Sequence, residues 1–154
     1  MFDKFSESAR RVVFYARGQA SVFGTEMITP ELLLLGMLRE NAVDVSRLIG
    51  GEADRCERLR KQIEENIPRG KPIPTSVDMP ISRELGLVFQ YAIEEVSGKD
   101  DETVQSGHLL IAILREEGCA AAEVLRANGA ELAVVRQRLL NSKPETTRFR
   151  GINS

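Results

Sequence analysis

The side chains that could carry out chemistry in this chain are few and scattered. His108 is the only histidine, and no second titratable residue stands at a spacing that would make it a general base or metal ligand. It lies next to the apolar pair Leu109–Leu110, so we expect a packed, hydrogen-bonded core residue. No serine lies in a G-x-S-x-G or S-x-x-K motif, and no G-x-x-x-x-G-K-[ST] phosphate loop occurs. The sequence predicts a protein that is not an enzyme and that has no metal site or cofactor.

An internal duplication organises the chain. Residues 5–64 and 81–140 carry one pattern twice, at a constant offset of 76 positions, so that Tyr15-Ala16 matches Tyr91-Ala92 and Leu38-Arg39-Glu40 matches Leu114-Arg115-Glu116. The apolar positions agree better than the identities, and they follow the period of a helix. A duplicated helical unit that buries one shared core is more often an interaction scaffold than a catalyst.

Composition limits the class of partner and the compartment. The chain has 21 basic and 23 acidic residues and a net charge of −2, so no broad basic field favours nucleic acid. The longest strongly apolar run, Leu32–Leu35, is far shorter than the roughly 20 residues that span a membrane. Residues 1–5 lead into the first helix without a signal-peptide core. Cys56 and Cys119 match apolar residues in the other copy, so we expect small core side chains rather than a disulfide. We therefore expect the protein in the reducing cytoplasm.

Capping signals divide each copy into four helices, which predicts eight helices and no sheet. Ser6 and Ser82 cap the first helix of each copy, and Ser106 is expected to cap the second helix of copy two. Thr29-Pro30-Glu31 opens the second helix of copy one with a hydroxyl cap, a proline and an acid near the positive helix end. We expect repeat 1 at residues 1–66, a proline-rich linker at 67–80, repeat 2 at 81–142 and a flexible tail at 143–154, which together form one all-α, pseudo-two-fold domain.

Two motifs, each present twice in order, resemble a known family. Residues 1–13 (MFDKFSESARRVV) and 28–40 (ITPELLLLGMLRE) resemble the amino-terminal repeat domain of Clp-type unfoldases, closest to the ClpC branch. Residues 107–116 (GHLLIAILRE) and 129–136 (GAELAVVR) continue the resemblance in copy two. In that family the domain is a helical pseudo-dimer that binds adaptors and substrates and transfers them to ATPase rings. The resemblance therefore implies protein partners, which are Clp adaptors, substrates or Clp ATPase subunits.

The same resemblance points to four binding residues. The family's acid at the place of Glu31 helps to hold arginine-like or phosphorylated-arginine ligands in some ClpC proteins, which implies a phosphoarginine-type ligand at repeat 1. A carboxylate suits a guanidinium because it accepts two parallel N–H bonds. The matching residue in repeat 2 is Gly107, which cannot contribute a side chain. Phe2 resembles a residue of the family's protein- and peptide-binding surface, Arg10 lies near it in the pattern, and Ile81 matches an aromatic or apolar position in copy two, so the resemblance implies that these three residues also bind protein.

Each of these residues also has a purely structural interpretation. Glu31 need be no more than an acid in the first turn of its helix, where the helix dipole stabilises its charge. Phe2 can serve as a hydrophobic staple onto the first helix, and Arg10 as part of a solvated face. We interpret the chain as a non-enzymatic protein-binding module. The alternatives are the N-terminal fragment of a full Clp ATPase unfoldase, a helical regulatory module outside the Clp system, and an enzyme of unknown type.

Overall fold

Seven helices account for the regular structure of the described residues. The computed structural model describes residues 2–51, 54–99 and 103–142. In chain order the helices are α1 (Glu7–Phe23), α2 (Pro30–Ile49), α3 (Arg55–Glu65), α4 (Arg83–Val96), α5 (Ser106–Arg115), α6 (Ala120–Ala127) and α7 (Leu132–Leu140). Within the described residues the only strand-like pairing consists of two isolated bridges. The all-helical fold class predicted from the sequence is confirmed.

The predicted caps start three of the helices. The Ser6 hydroxyl accepts a hydrogen bond from the Ala9 amide at 3.0 Å, and the Ser82 hydroxyl accepts one from the Leu85 amide at 3.1 Å. Thr29 accepts from the amide of Leu32, and Pro30 follows it as the first helical residue. These side chains satisfy amides that have no partner within the helix, so the sequence sets these helix starts locally.

Two boundaries differ from the expectation. The second and third helices predicted in repeat 1 run on as a single element, α2, with a kink at Asn41 (φ −158°, ψ 71°). The Asn41 side chain accepts a hydrogen bond from the Asp44 amide at 3.3 Å and so restarts the helix. The prediction that Ser106 caps α5 is wrong. Gln105 is the N-cap residue, and its backbone amide donates a hydrogen bond to Nδ1 of His108 at 2.9 Å.

The core lies around α2 and α5, as the apolar runs of these two helices predict. Leu32–Leu34 and Leu109–Leu110 are fully buried. Helix α1 packs on α2 at very short range, because a Cβ atom added at Gly36 would lie 2.4 Å from the Val12 carbonyl oxygen. Only glycine permits this approach of the two backbones.

The two copies exchange matching backbone contacts. The Ser6 amide donates to the Val104 carbonyl at 2.8 Å, and the Ser82 amide donates to the Ile28 carbonyl at 2.8 Å. Residues 6 and 28 lie 76 positions before residues 82 and 104, so the two contacts are the same contact in opposite directions. Reciprocal contacts of this kind are what an approximate two-fold axis between the copies would produce. The structure is consistent with the predicted tandem arrangement.

The segment between the copies lies along the C-terminal half of α1. The amides of Gly70 and Ile73 donate to the carbonyls of Phe23 and Ser21, at 2.8 and 3.0 Å. The guanidinium of Arg17 donates to the carbonyls of Pro74, Thr75 and Val77. We call residues 67–77 the strap. No helix in the described part of the chain combines the length and the hydrophobicity needed to cross a bilayer.

Candidate protein-binding surface

Three aromatic rings connect the N-terminus to the second copy. Phe2 packs edge-to-face on Phe5 and on Phe89 of α4, with ring centroids 4.9 and 5.3 Å apart, and the Phe5 and Phe89 centroids are 5.9 Å apart. Phe5 and Phe89 are buried, whereas Phe2 is only half-buried. Phe2 is therefore not simply a staple on its own helix. It covers an aromatic cluster that spans both copies and leaves part of its ring accessible.

Arg10 holds the N-terminal turn in place. Its Nε donates to the Phe2 carbonyl at 3.3 Å, and its Nη2 donates to the Asp3 carbonyl at 3.2 Å. Both contacts are at the surface, and Arg10 itself is exposed. Phe2 and Arg10 thus form one small patch, in which an accessible aromatic edge lies beside a cation.

Ile81 lies just before α4 and is also half-buried. It forms a parallel bridge with Ile28, which is part of the backbone contact between the copies. Its Cδ1 atom lies 3.8 Å from the place of a Cβ atom at Gly86. Within the described residues no hydrogen bond or ion pair joins Ile81 or Glu31 to the Phe2–Arg10 patch. The structure therefore brings together only two of the four predicted binding residues through direct polar contact.

Glu31 has a partner that the sequence did not reveal. Its Oε2 accepts a hydrogen bond from the Ala121 amide at 2.9 Å, at the start of α6 in the other copy. The N-cap residue of α6, Cys119, makes no side-chain cap. The Glu31 carboxylate thus supplies the cap from 90 residues away. The sequence contained one signal for an external cap: no residue with a capping side chain precedes Ala120 and Ala121 at the start of this helix.

The charge of Glu31 acts on a buried thiol nearby. Burial, together with the smaller effect of the negative charges of Glu31 and Glu116, raises the pKa of Cys119 to about 11. Cys119 therefore stays protonated at neutral pH and behaves as a small apolar side chain. Cys56 is half-buried, and burial raises its pKa as well. Both thiols are free, as expected.

A cavity of about 330 Å³ lies beside Glu31 at the base of the strap. Glu26, Met27 and Glu31 line it on one side, and Ile67 and Arg69 line it on the other. The Arg69 guanidinium lies 4.2 Å from the centroid of the Phe23 ring, so a stacked guanidinium and two carboxylates line the same cavity. The matching position in repeat 2 has no such acid, and a Cβ atom at Gly107 would lie 2.6 Å from Leu139.

A largely buried ionic cluster lies elsewhere, in the second copy. Glu95 accepts hydrogen bonds from Arg136 at 2.7 Å and from Arg115 at 3.0 Å, and its side chain is only 11% exposed. Burial raises the pKa of Glu95, but the hydrogen bonds and charges of the two arginines outweigh burial and lower it below the ordinary value of 4.5. The described residues contain no group of three or more His, Cys, Asp or Glu side chains that could hold a metal ion.

Comparison with known proteins gives one consistent result. A family model described as the Clp repeat (R) N-terminal domain matches residues 4–139. The chaperone protein ClpC2 of rice (Oryza sativa subsp. japonica) chloroplasts is 28% identical over 151 residues, which cover 98% of this chain and 16% of that protein. Chloroplastic ClpC1 of Arabidopsis thaliana is 27% identical over 140 residues, covering 91% and 15%. The chain thus spans about a sixth of the length of these relatives.

Solved structures agree on the fold. The N-terminal domain of the chaperone ClpD from Arabidopsis thaliana has a TM-score of 0.70 at 21% identity, covering 92% of this chain and 95% of that one. The Hsp104 N-terminal domain from Candida albicans has a TM-score of 0.70 at 15% identity, covering 90% of each chain. At these identities the likeness concerns the fold alone. Because the family model covers residues 4–139 of 154, the chain belongs to the Clp repeat (R) N-terminal domain family.

Proposed function

We propose that this chain is a non-enzymatic protein-binding module that recognises adaptors, substrates or a Clp ATPase or protease partner. The observation that carries the proposal is the family match over residues 4–139, because the matching relatives are named as chaperones and as ATP-binding subunits of an ATP-dependent protease. The domain makes up only about a sixth of those relatives, so partner binding rather than the whole activity is the part proposed for it.

The binding surface that we propose includes the Phe2–Arg10 patch and Ile81. An accessible aromatic edge beside a cation is the kind of small anchor that dominates protein interfaces, where aromatic residues and arginine are enriched. Two anchors of this size with a charged rim favour modest affinity, which suits a module that must release what it binds.

The test is a binding experiment with single-residue variants. Purified protein is immobilised, partners are captured from the cytoplasm of the source organism, and the captured proteins are identified by mass spectrometry. Each is then purified and its affinity measured by calorimetry for wild type, Phe2→Ala and Arg10→Ala. Arg58→Ala is the matched control, because Arg58 is a half-exposed surface arginine on α3. We expect loss of affinity in the first two variants only. A partner that binds all four proteins equally would contradict the proposed surface.

A second candidate function is recognition of arginine or phosphoarginine at repeat 1. It is favoured by the 330 Å³ cavity, which Glu31 and the stacked guanidinium of Arg69 both line. Oε1 of Glu31 is the oxygen that the Ala121 amide does not use, so it is the acceptor left for a guanidinium of a ligand. Titration of phosphoarginine into wild type and Glu31→Ala tests this function. We expect one site per chain and about tenfold weaker binding in the variant, the size of one charged hydrogen bond. Two equal sites or no binding would contradict it.

The remaining assignments are proposals of the same kind. We place the repeats at residues 1–66 and 81–142 and the protein in the cytoplasm, which its two free cysteines and its composition support. The rival in which this chain is the N-terminal part of a full Clp ATPase unfoldase is decided by the length of the natural reading frame. A helical regulatory module outside the Clp system would capture no Clp component in the experiment above.

A further inference from the structure

Two arginines occupy matching positions in the two copies but have different partners. Arg39 on α2 and Arg115 at the end of α5 are 76 positions apart. Each guanidinium lies over the tyrosine of its own copy, 4.7 Å from the ring centroid of Tyr15 and 4.5 Å from that of Tyr91. Because the stacking is the same, the surroundings of the two arginines can be compared residue by residue.

In the second copy two neighbouring glutamates of α4 hold the arginine. Nη2 of Arg115 donates to Oε1 of Glu94 at 2.7 Å, and its Nη1 donates to Oε2 of Glu95 at 3.0 Å. Gln90, one turn earlier on the helix, donates to Glu94 at 3.5 Å. The second copy therefore shows what the stacked arginine binds when this site is filled, which is a pair of adjacent carboxylates.

The first copy lacks both carboxylates. The residues that match Glu94 and Glu95 are Gly18 and Gln19 on α1. A Cβ atom added at Gly18 would have open space around it, so the place of the missing side chain has not been taken by another part of the structure. The sequence of the first copy thus keeps the stacked arginine but removes the acids that neutralise its counterpart.

The charge of Arg39 has no acidic partner within the described part of the chain. Arg39 is exposed, and it makes no hydrogen bond or ion pair with a described residue. The neighbouring acid, Glu40, is already bound: Nη2 of Arg11 donates to it at 2.7 Å and the Ser8 hydroxyl at 3.0 Å. Stacking uses the flat face of a guanidinium and leaves its N–H donors free for a ligand.

The surface around Arg39 is apolar and basic rather than acidic. Phe14 stands where the second copy has Gln90, is 71% exposed, and has its ring centroid 5.8 Å from that of Tyr15. Helix α1 contains three arginines and one glutamate, whereas α4 contains one arginine and three glutamates. An exposed aromatic ring beside an arginine is the composition of an interface hot spot, and the local charge favours an acidic ligand.

We infer that Phe14, Tyr15 and Arg39 form a docking site for an acidic segment of a partner protein. Two adjacent carboxylates of that segment would bind Arg39 as Glu94 and Glu95 bind Arg115, and an apolar side chain next to them would cover Phe14. The inference rests on the proposed function, since it gives a chemical class to the partner. The site continues the Phe2–Arg10 patch along α1, because Phe14 follows Arg10 by one helical turn.

The probe is a blocked synthetic peptide with the sequence of residues 92–97, Ala-Ile-Glu-Glu-Val-Ser. The control peptide replaces both glutamates by glutamine. The full chain is labelled at tyrosine for NMR, because Tyr15 reports on the site and Tyr91, whose arginine is already paired, is an internal reference. We expect the glutamate peptide to shift the Tyr15 ring signals in a saturable way and to leave those of Tyr91 unchanged. The glutamine peptide should shift neither.

Three variants test the location of the bound peptide. Arg39→Gln should weaken the glutamate peptide about tenfold, the effect of losing one charged hydrogen bond. The double variant Gly18→Glu with Gln19→Glu restores the acids of the second copy and should weaken the peptide as much, because the chain's own carboxylates then bind Arg39. Arg58→Gln is the control, since Arg58 is a half-exposed arginine on α3 and the net charge changes equally. It should alter the affinity by less than about twofold.

Four results would overturn the inference: no saturable shift of Tyr15, equal shifts with both peptides, equal losses in Arg39→Gln and Arg58→Gln, or undiminished binding in the double variant. Inorganic phosphate that binds as tightly as the peptide would also overturn it, because the site would then hold any anion. The proposed function is judged separately, by the captured partners. A partner that loses affinity in Phe2→Ala but not in Arg39→Gln removes only this site.

Discussion

At the scale of the single residue, Glu31 has two candidate roles that compete for one carboxylate. The Ala121 amide already uses Oε2, and this contact caps α6 from the opposite copy. A ligand that takes both oxygens must therefore displace the cap. Ligand binding at repeat 1 and the stability of α6 are linked in that case, because each uses the same acceptor.

The first prediction concerns this cap. Glu31→Ala should lower the free energy of unfolding by about 0.5–2 kcal/mol, the usual effect of removing a helix cap. Glu31→Gln should lose less, because its amide oxygen still accepts the Ala121 N–H. Chemical denaturation followed by circular dichroism measures both. The control is Glu26→Ala, which changes an acid on the same cavity that makes no such cap. Equal stability of Glu31→Ala and wild type would show that the contact contributes nothing.

The second prediction concerns Glu95 and pH. The pKa of Glu95 is lower in the folded protein than its ordinary value of 4.5. As the pH falls, the unfolded chain therefore binds this proton before the folded protein does. The stability that Glu95 contributes is therefore present above about pH 4.5 and is lost as the pH falls through its lower folded pKa. Glu95→Gln should cost about 1–2 kcal/mol at pH 7, since it replaces charged hydrogen bonds by neutral ones.

Denaturation curves measured from pH 3 to 7 should show a smaller pH dependence below about pH 4.5 in Glu95→Gln than in wild type. Glu57→Gln is the control. Glu57 also pairs with an arginine, but the pair is at the surface and solvent screens it. The same flattening in both variants would assign the effect to general charge rather than to the Glu95 cluster.

At the scale of the element, α2 and α5 carry the core of the two copies. Leu34 and Leu110 occupy matching positions on these helices, and both are 0% exposed. The third prediction is that Leu34→Ala and Leu110→Ala each lower the free energy of unfolding by about 2–5 kcal/mol, through lost burial and the cavity left behind. Val43→Ala, at an exposed position of α2, should stay within about 0.5 kcal/mol of wild type. Losses below about 1 kcal/mol at both leucines would contradict their placement.

The fourth prediction concerns helix packing and compares two glycines, one in a tight contact and one with open space around it. A Cβ atom added at Gly36 would lie 2.4 Å from the Val12 carbonyl oxygen, so Gly36→Ala must push α1 and α2 apart and should cost about 1–3 kcal/mol. Gly18 lies inside α1 with open space around it, so Gly18→Ala should add about 0.5–1 kcal/mol through helix propensity. Thermal unfolding of the two variants should therefore move in opposite directions. A stabilising Gly36→Ala would refute the close contact.

At the scale of the whole molecule, the backbone contacts that the copies exchange favour a single folding unit. Each copy supplies one edge of each bridge, at Phe5–Val104 and Ile28–Ile81, and the Phe2–Phe5–Phe89 cluster crosses the same boundary. A copy that unfolded alone would leave buried backbone groups and aromatic surface of the other copy exposed. Separate unfolding of the two halves is therefore disfavoured.

The fifth prediction tests this unity with the two tyrosines, one in each copy. Tyr15 and Tyr91 each lie beneath an arginine, Arg39 and Arg115, at 4.7 and 4.5 Å from the ring centroid. Their ring signals in NMR should lose their native shifts at the same temperature. Leu34→Ala, which changes only the first copy, should lower that temperature for both rings. Two separate transitions would mean that the copies fold independently.

Several features were predictable from the sequence because their causes are local. The helix starts at Ser6, Thr29 and Ser82 depend on a side chain and an amide three residues later, and the buried runs of α2 and α5 depend on apolar composition alone. The constant offset of 76 residues between the copies predicted matched units before any contact was known. The sequence also identified Glu31 as a residue to examine, but not its partner.

The tertiary structure decided what depends on pairs that are distant in the chain. The Glu31 carboxylate reaches an amide 90 residues away, and the strap donates its Gly70 and Ile73 amides to carbonyls of α1. The kink at Asn41 likewise replaced two predicted helices by one interrupted element. Apolar periodicity records which residues are buried, but not which chain segment covers them, because hydrophobic burial has no direction. The cover of each site is therefore fixed only when the two copies and the strap pack together.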